Sequence, residues 1–172
     1  MLNRHLFLIG MPGCGKSSLG RRVARETGVP FADLDEMISK ASGMTVSDFF
    51  AAYGEETFRR AETRALAEVT RARPMIVSTG GGIVMREVNR KIMRGWGTIL
   101  LIDRPLEDIL GDIRMEGRPL FRDGGPEKVR EVYAQRDPVY RAAADIVLRN
   151  DQGYAAAVRA LIRLLRDRFD VP

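Results

Sequence analysis

The chain has 172 residues, of which 45% are apolar and 30% charged, a balance typical of one folded domain with a sizeable core. No apolar run approaches the ~20 residues of a membrane-spanning helix, and the apolar start is too short for a secretion signal, so we expect a cytoplasmic protein. The net charge of +5 makes nucleic acid a partner to consider, but the 28 basic residues are spread along the chain, which argues against it. The single cysteine excludes an internal disulfide and argues against structural zinc.

Short apolar runs alternate with amphipathic helical patterns, which predicts an α/β fold with a parallel sheet. The predicted strands cover residues 6–9, 30–35, 75–79, 98–102 and 145–149. The predicted helices cover residues 17–27, 46–54, 55–72 and 154–169. Residues 36–72 hold consecutive helices without a strand, which is typical of an insertion that holds a substrate. Residues 116–126 combine turn-forming residues with two arginines and are expected to form a loop.

Residues 10–17, GMPGCGKS, match the pattern G-x-x-x-x-G-K-[ST] between a predicted strand and a predicted helix. Glycines in such a loop let backbone N–H groups turn inward around phosphates, and the helix start adds its positive dipole end. Lys16 is expected to reach the β- and γ-phosphates, and the Ser17 hydroxyl to ligate Mg²⁺. The pattern therefore predicts nucleotide binding rather than a plain turn. No Asn-Lys-x-Asp guanine motif occurs, which favours a small kinase over a switch GTPase.

Asp33 and Asp35 lie two residues apart at the end of the second predicted strand, and hence on the same side of it. Ligands bind at the carboxyl ends of parallel strands, so these carboxylates could divide the work between the Mg²⁺ shell and a substrate hydroxyl. The alternative is that one of them only caps a helix that starts near Glu36.

Arg59 and Glu62 are three residues apart on a predicted helix and share a face, which taken alone indicates a solvated ion pair. Gly80, Gly81 and Gly82 follow the third predicted strand and would let the backbone approach a ligand closely. Arg118 and Arg136 could stabilise a transferring phosphoryl group or grip a carboxylate, although a single loop arginine usually lies on the surface.

Taken in order, these strings (GMPGCGKS, DLD, FRRAE, GGG, RPL and RDPVY) resemble the shikimate kinase family. The resemblance implies transfer of the ATP γ-phosphate to the 3-hydroxyl of shikimate, in aromatic amino-acid biosynthesis. It also implies a single P-loop kinase domain with a five-stranded parallel sheet between helices. Within that domain it implies a core of residues 1–33 and 73–112, a shikimate-binding insertion over 34–62, a lid over 113–125, and a final strand and helix over 145–169.

The resemblance also implies roles for individual residues. ATP and Mg²⁺ would be held by the phosphate loop, with Ser17 on the metal and Asp33 supporting it through water. The catalytic residues would be Lys16, Asp35 and Arg118, and Glu62 would hold an arginine in place. Nucleotide contacts would come from Gly13, Cys14, Gly15, Lys16, Ser17, Ser18 and Arg118. Shikimate contacts would come from Asp35, Arg59, Gly81, Gly82 and Arg136.

The sequence departs from the family pattern at the adenine end. Gly111 stands where some members have an arginine, although Arg114 is close by, and residues 149–155 contain no proline. The adenine contacts are therefore left open. Two interpretations of Cys14 also stay open: a thiol activated by the nearby lysine and helix start, or a small residue in a variable position.

Three functions are weighed: a shikimate kinase, a kinase of another small acceptor such as gluconate or a nucleotide, and a non-enzymatic nucleotide-dependent protein. The residues outside the phosphate loop favour the first. We expect only small-molecule partners, without nucleic acid or membrane, and a monomer.

Overall fold

The computed structural model describes residues 2–112 and 125–169 together with residue 171. Five strands form one sheet in the order β2-β3-β1-β4-β5, and every neighbouring pair is parallel. The strands are β1 (His5–Ile9), β2 (Phe31–Asp33), β3 (Ile76–Ser78), β4 (Gly97–Asp103) and β5 (Ile146–Arg149). The predicted five-stranded parallel sheet is confirmed.

Helices flank this sheet and cover its apolar side chains. They are α1 (Lys16–Thr27), α2 (Leu34–Ser42), α3 (Val46–Val69), α4 (Glu87–Trp96), α5 (Leu106–Asp112), α6 (Gly125–Ala143) and α7 (Tyr154–Phe169), with a 3₁₀ turn at Ile83–Met85. Every residue of β1 is buried, and this strand lies at the centre of the core. Burial of one Leu or Ile side chain contributes about 1.5–3 kcal/mol, so the central strand fixes the layers around it.

The predicted second strand is too long. β2 ends at Asp33 because the Asp33 side chain caps α2, accepting hydrogen bonds from the backbone N–H groups of Asp35 and Glu36. The prediction that Asp33 and Asp35 share one side of a strand is therefore wrong, and Asp35 lies in the first turn of α2. Aspartate is common both after a strand and at a helix N-cap, and here Asp33 forms the N-cap of α2.

The two helices predicted over 46–54 and 55–72 form one element, α3, with a break at Gly54. This glycine has φ 77° and ψ 169°, a backbone geometry that interrupts the helix without ending it. The element ends at Val69, three residues before the predicted end. Most of the predicted loop and lid, residues 113–124, lies outside the described residues.

Helices long and apolar enough to cross a membrane are absent from the part of the chain that the structure describes.

Candidate active site

The loop between β1 and α1 has the backbone shape of a phosphate-binding loop. Gly10, Gly13 and Gly15 all have positive φ values, of 139°, 86° and 104°. At Gly10 a side chain would also collide, because a Cβ would lie 2.8 Å from the carbonyl oxygen of Ile102. Only glycine combines this conformation with this close approach, so the fold explains the glycines that the sequence pattern requires.

Lys16 begins α1 and is buried beside the loop. Its Nζ donates hydrogen bonds of 2.9 Å to the carbonyl oxygens of both Gly10 and Met11. Nζ also lies 3.7 Å from Sγ of Cys14, whose side chain is fully buried. The ammonium is thus held at the loop by backbone acceptors. The packing of Cys14 favours the interpretation of this residue as a small buried side chain.

Oxygen atoms suited to a magnesium ion lie in the first turn of α1 and at the carboxyl ends of β2 and β3. Oγ of Ser17 lies 3.0 Å from Oγ of Ser78, and Ser78 pairs with Asp33 across β3 and β2. Asp33 is buried, and both of its hydrogen bonds to α2 end on Oδ1. Hydroxyl and carboxylate oxygens are hard ligands that Mg²⁺ prefers, so this donor set fits the ion. Ser18 turns back instead, donating to the carbonyl of Gly15 at 3.1 Å.

Arg59 and Glu62 form a buried ion pair, not the solvated pair that their spacing alone indicates. Nη1 of Arg59 lies 2.6 Å from Oε2 of Glu62, and the side chains are 9% and 0% exposed. A second carboxylate, Glu55, accepts from Nη2 of Arg59 at 3.0 Å. The rings of Phe50 and Phe58 lie beside the guanidinium, with centroids 5.9 and 5.7 Å from its central carbon. Burial of this kind requires pairing, since an unpaired charge would be costly.

Burial controls the protonation of this pair. It raises the pKa of Glu62 above its ordinary value, against the opposing attraction of Arg59. Burial alone would lower the pKa of Arg59, but the attraction and hydrogen bonds of Glu62 and Glu55 together outweigh it and raise that pKa. Arg59 therefore keeps its charge. Oε1 of Glu62 is buried without a hydrogen-bond partner among the residues described here.

Two of the three glycines after β3, Gly80 and Gly82, lie against the carboxylates and the arginine of this cluster. A Cβ on Gly80 would lie 2.3 Å from Oε1 of Glu62 and 3.0 Å from Oδ1 of Asp35. A Cβ on Gly82 would lie 2.2 Å from Nη1 of Arg59. The structure therefore brings Asp35, Arg59 and Glu62 together around residues 80–82. The role of these glycines as a substrate wall stays a prediction.

Arg136 reaches the same cluster from α6. It is 7% exposed, and its positive charge partly offsets the rise that burial causes in the pKa of Glu62. Its Nη1 is buried and, within the described ranges, has no hydrogen-bond partner. An unsatisfied buried guanidinium nitrogen is costly, and an anionic ligand would satisfy it. Arg118, the other predicted arginine, lies outside the described residues.

Tyr140 fixes α6 against residues 80–82, which we call the glycine loop to distinguish it from the phosphate loop. It lies one helical turn after Arg136, and its hydroxyl donates a hydrogen bond to the carbonyl oxygen of Gly81. Burial raises the pKa of Tyr140 above its ordinary value, so the hydroxyl stays protonated. The sequence reasoning assigned no role to Tyr140, although its spacing from Arg136 places both on one helix face.

Four further residues at the site were not predicted from the sequence. Ser78 ends β3, and Arg104 and Asn150 directly follow β4 and β5 and donate to carbonyls of the phosphate loop, so their one available signal was position at the carboxyl end of a strand. Glu55 pairs with Arg59, and its one signal was their spacing of four residues on a helix.

The family model described as shikimate kinase matches residues 12–166 of the chain. The shikimate kinase of Clostridium beijerinckii is 38% identical over 171 residues, covering 99% of each chain. That of Chromohalobacter salexigens is 41% identical over 161 residues, which are 92% of this chain and 89% of the relative.

Solved structures agree with these sequence comparisons. The shikimate kinase from Acinetobacter baumannii in complex with shikimate superposes with a TM-score of 0.87 at 32% identity, over 96% of this chain and 94% of that one. The shikimate kinase from Aquifex aeolicus gives a TM-score of 0.79 at 28% identity, over 95% and 96% of the two chains. The predicted fold and family are confirmed: the chain belongs to the shikimate kinase family.

Proposed function

We propose that this protein transfers the γ-phosphoryl group of ATP to the 3-hydroxyl of shikimate, giving shikimate 3-phosphate and ADP for aromatic amino-acid biosynthesis. The observation that carries the proposal is the buried group of Arg59, Glu62 and Arg136 beside the glycine loop. The two arginines of this group offer positive charge to a small carboxylate. The group lies at the carboxyl end of the sheet, as the phosphate loop does. Membership of the family supports the same acceptor.

The phosphate end uses the residues of the loop. The backbone of Gly13, Cys14 and Gly15 would surround the phosphates, and Ser18 would close the first turn of α1 beside them. Lys16 would exchange its two carbonyl partners for phosphate oxygens and keep the transferring group in place. Catalysis of this reaction depends on positioning and neutralisation of charge, and the preformed loop supplies both.

Ser17 and Asp33 would hold Mg²⁺, the serine directly and the aspartate through water. When bound, the ion would neutralise charge on the phosphates during transfer. Asp33 is suited to this position because α2 fixes its carboxylate through Oδ1. Ser78 would orient the Ser17 hydroxyl.

The acceptor end uses the cluster around residues 80–82. We assign Arg59 and Arg136 to the shikimate carboxylate, which would complete the hydrogen bonding of the buried Arg136 Nη1. Gly81 and Gly82 would lie beside the ring of the substrate. The insertion over residues 34–62, formed by α2 and the first part of α3, would hold that substrate. Asp35 would accept a hydrogen bond from the reacting hydroxyl, either as the base or as the group that orients it.

The remaining assignments rest on the family resemblance. Arg118, on a lid over residues 113–125, would meet the phosphates and stabilise the transferring charge. The core of residues 1–33 and 73–112 and the final elements over 145–169 would complete one kinase domain. We further propose a cytoplasmic monomer whose partners are small molecules, without nucleic acid or membrane.

A coupled assay of ADP release tests the acceptor directly. Shikimate, quinate, gluconate and nucleoside monophosphates are compared at equal concentrations with saturating ATP. We expect turnover on shikimate to exceed turnover on the others, because shikimate combines a carboxylate with a flattened cyclohexene ring. Quinate has a saturated ring with an added hydroxyl, gluconate lacks the ring, and the nucleoside monophosphates lack the carboxylate. Turnover on another acceptor, with none on shikimate, would refute the proposal.

The substitution Arg136→Ala tests the assignment of the carboxylate. We expect the KM for shikimate to rise about tenfold or more, because a charge-assisted hydrogen bond contributes roughly 1.5–3 kcal/mol, and the KM for ATP to change little. Arg130→Ala is the matched control, since Arg130 lies on the same helix but is 48% exposed and pairs with Glu107. Equal changes in the two KM values would remove Arg136 from the carboxylate site.

A further inference from the structure

Two consecutive carbonyl groups of the phosphate loop accept hydrogen bonds from side chains outside the loop. Nη1 of Arg104 donates to the carbonyl oxygen of Gly13 at 3.1 Å. Nδ2 of Asn150 donates to the carbonyl oxygen of Cys14 at 3.0 Å. Arg104 is the first residue after β4, and Asn150 is the first after β5. The two strands on one side of β1 therefore each contribute one side chain to the outside of the loop.

The Asn150 hydrogen bond to the Cys14 carbonyl also fixes the direction of the Gly15 N–H, which belongs to the same peptide unit. In a planar trans peptide, the C=O of one residue and the N–H of the next point in opposite directions. With the Cys14 carbonyl held towards Asn150, the N–H of Gly15 points away from β5 and into the loop. Asn150 is also close to Gly15 itself, because a Cβ there would lie 3.3 Å from Nδ2.

The Arg104 hydrogen bond fixes the preceding peptide. The N–H of Cys14 donates to the carbonyl of Met11 at 3.2 Å, which closes a turn, while Arg104 holds the opposite end of the same peptide at Gly13. The guanidinium is itself held, since Nη2 of Arg104 pairs with Asp112 at the end of α5. Arg104 is therefore oriented by one contact on the loop and one on a helix.

A glycine-rich loop gains from such external support. Glycine loses more conformational freedom on ordering than any other residue, so an unsupported loop would sample many shapes besides the one that binds phosphate. Fixing the peptide planes before the ligand arrives removes that cost from binding. Hydrogen bonds from outside achieve this without occupying the inward N–H groups that phosphate needs.

We propose that Arg104 and Asn150 are positioning residues that hold the phosphate loop in its nucleotide-binding shape. They contact the loop backbone from outside and set the affinity for the nucleotide, not for the acceptor. The inference rests on the proposed function for its choice of nucleotide, and it adds two residues to the machinery of that reaction.

The test measures the dissociation constant of ADP by calorimetry on the full chain, with no acceptor present. The variants are Arg104→Met and Asn150→Ala, with the milder Arg104→Gln and Asn150→Asp in case the first pair fails to fold. Arg104→Lys retains a donor and is the rescue variant. The matched controls are Arg130→Met, which breaks another arginine pair to α5, and Gln152→Ala, which removes an exposed amide two residues after Asn150.

We expect the dissociation constant to rise roughly three- to tenfold for Asn150→Ala, and about tenfold or more for Arg104→Met, where the donor is charged. The lysine variant should recover part of the loss, and the controls should bind as the unsubstituted protein does. In steady-state assays the KM for ATP should rise while the KM for shikimate stays within about twofold.

Unchanged ADP affinity in folded variants would overturn the proposal. Equal increases in both KM values, accompanied by a lower free energy of unfolding, would overturn it as well, because a merely structural role predicts that pattern. Since ADP binding needs no acceptor, the result stands apart from the choice of shikimate. A failure of the unsubstituted enzyme to use shikimate would refute the proposed function and leave this test intact.

Discussion

Replacing Gly82 with alanine should displace one arginine and little else. Gly82 has φ −97° and ψ −2°, outside the left-handed region, so alanine is allowed there and the main effect is the contact of its Cβ. The new Cβ would lie 2.2 Å from Nη1, 2.3 Å from Cζ and 2.5 Å from Nη2 of Arg59. Ordinary contacts begin near ~3.5 Å, so the guanidinium must move by about 1 Å.

The magnitude follows from what that movement breaks. Nη1 of Arg59 lies 2.6 Å from Oε2 of Glu62, and a shift of about 1 Å away would end this hydrogen bond. The same displacement would take the guanidinium away from its proposed partner, the substrate carboxylate. Hydrogen bonds to charged groups contribute about 1.5–3 kcal/mol, so the affinity for that carboxylate should weaken roughly 10- to 100-fold. The loss of stability should stay below the ~3–5 kcal/mol of a buried pair whose partner is deleted, because Arg59 remains nearby.

Steady-state kinetics with each substrate varied in turn measure the effect. We expect a higher KM for shikimate, an unchanged KM for ATP and an unchanged dissociation constant for ADP. Gly95→Ala is the control, since Gly95 lies in α4 with no atom within 4 Å of the added Cβ. That variant should keep both KM values and gain about 0.5–1 kcal/mol of stability. A Gly82→Ala enzyme whose KM for shikimate stays within twofold would refute the reasoning.

Two further predictions concern the support of the site and the stability of the fold. Tyr140→Phe removes the donor to the Gly81 carbonyl, so urea unfolding should show a free energy of unfolding lower by about 1–3 kcal/mol. The KM for shikimate should rise as well, because Arg136 is then held less firmly. Unchanged values of both would contradict this role of Tyr140. Burial lowers the pKa of His5, the sole histidine, below its ordinary 6.5. The unfolded chain therefore binds more protons below about pH 6.5, and the free energy of unfolding should fall there. His5→Asn should reduce this slope between pH 7.5 and 5.5, and identical urea profiles would contradict the assignment.

The phosphate loop could be predicted from the sequence because its determinants are local. The strand, the glycines, Lys16 and Ser17 all lie within about a dozen residues, and each has a fixed place in the pattern. Local chemistry of this kind is visible in the sequence without knowledge of the fold. The structure adds contacts that the pattern does not encode: Lys16 donates to the carbonyls of Gly10 and Met11, and Arg104 and Asn150 donate to those of Gly13 and Cys14.

The acceptor cluster, formed by Asp35, Arg59, Glu62 and Arg136, was only partly predictable, because burial decides whether these charges form a site or a surface pair. The spacing of Arg59 and Glu62 is the same for a solvated pair and for a buried one. What distinguishes them is packing against Phe50, which lies before the break at Gly54, and against residues 80–82, which are distant in the chain. The family resemblance implied that Arg59 contacts the acceptor and that Glu62 holds an arginine, but their burial came only from the structure.

Asp33 shows a different limit. Two carboxylates at the end of a strand suggest shared chemistry on one side, yet the backbone turns into α2 one residue after Asp33. Capping uses Oδ1 and orients the carboxylate, so the structural role and the proposed metal role are compatible. The sequence posed these as alternatives, and the structure allows one residue to serve both.

The need for three consecutive glycines follows from three different neighbours. Gly80 faces Glu62 and Asp35, Gly82 faces Arg59, and a Cβ on Gly81 would lie 2.8 Å from the ring of Pro12 in the phosphate loop. One tripeptide therefore contacts the acceptor cluster on two sides and the phosphate loop on the third. Because closely packed interiors transmit displacement, a side chain at Gly81 would push against Pro12 and alter the distance between acceptor and phosphate. Phosphoryl transfer depends on that distance, so a bulkier residue would impair the reaction even where it left both binding sites intact.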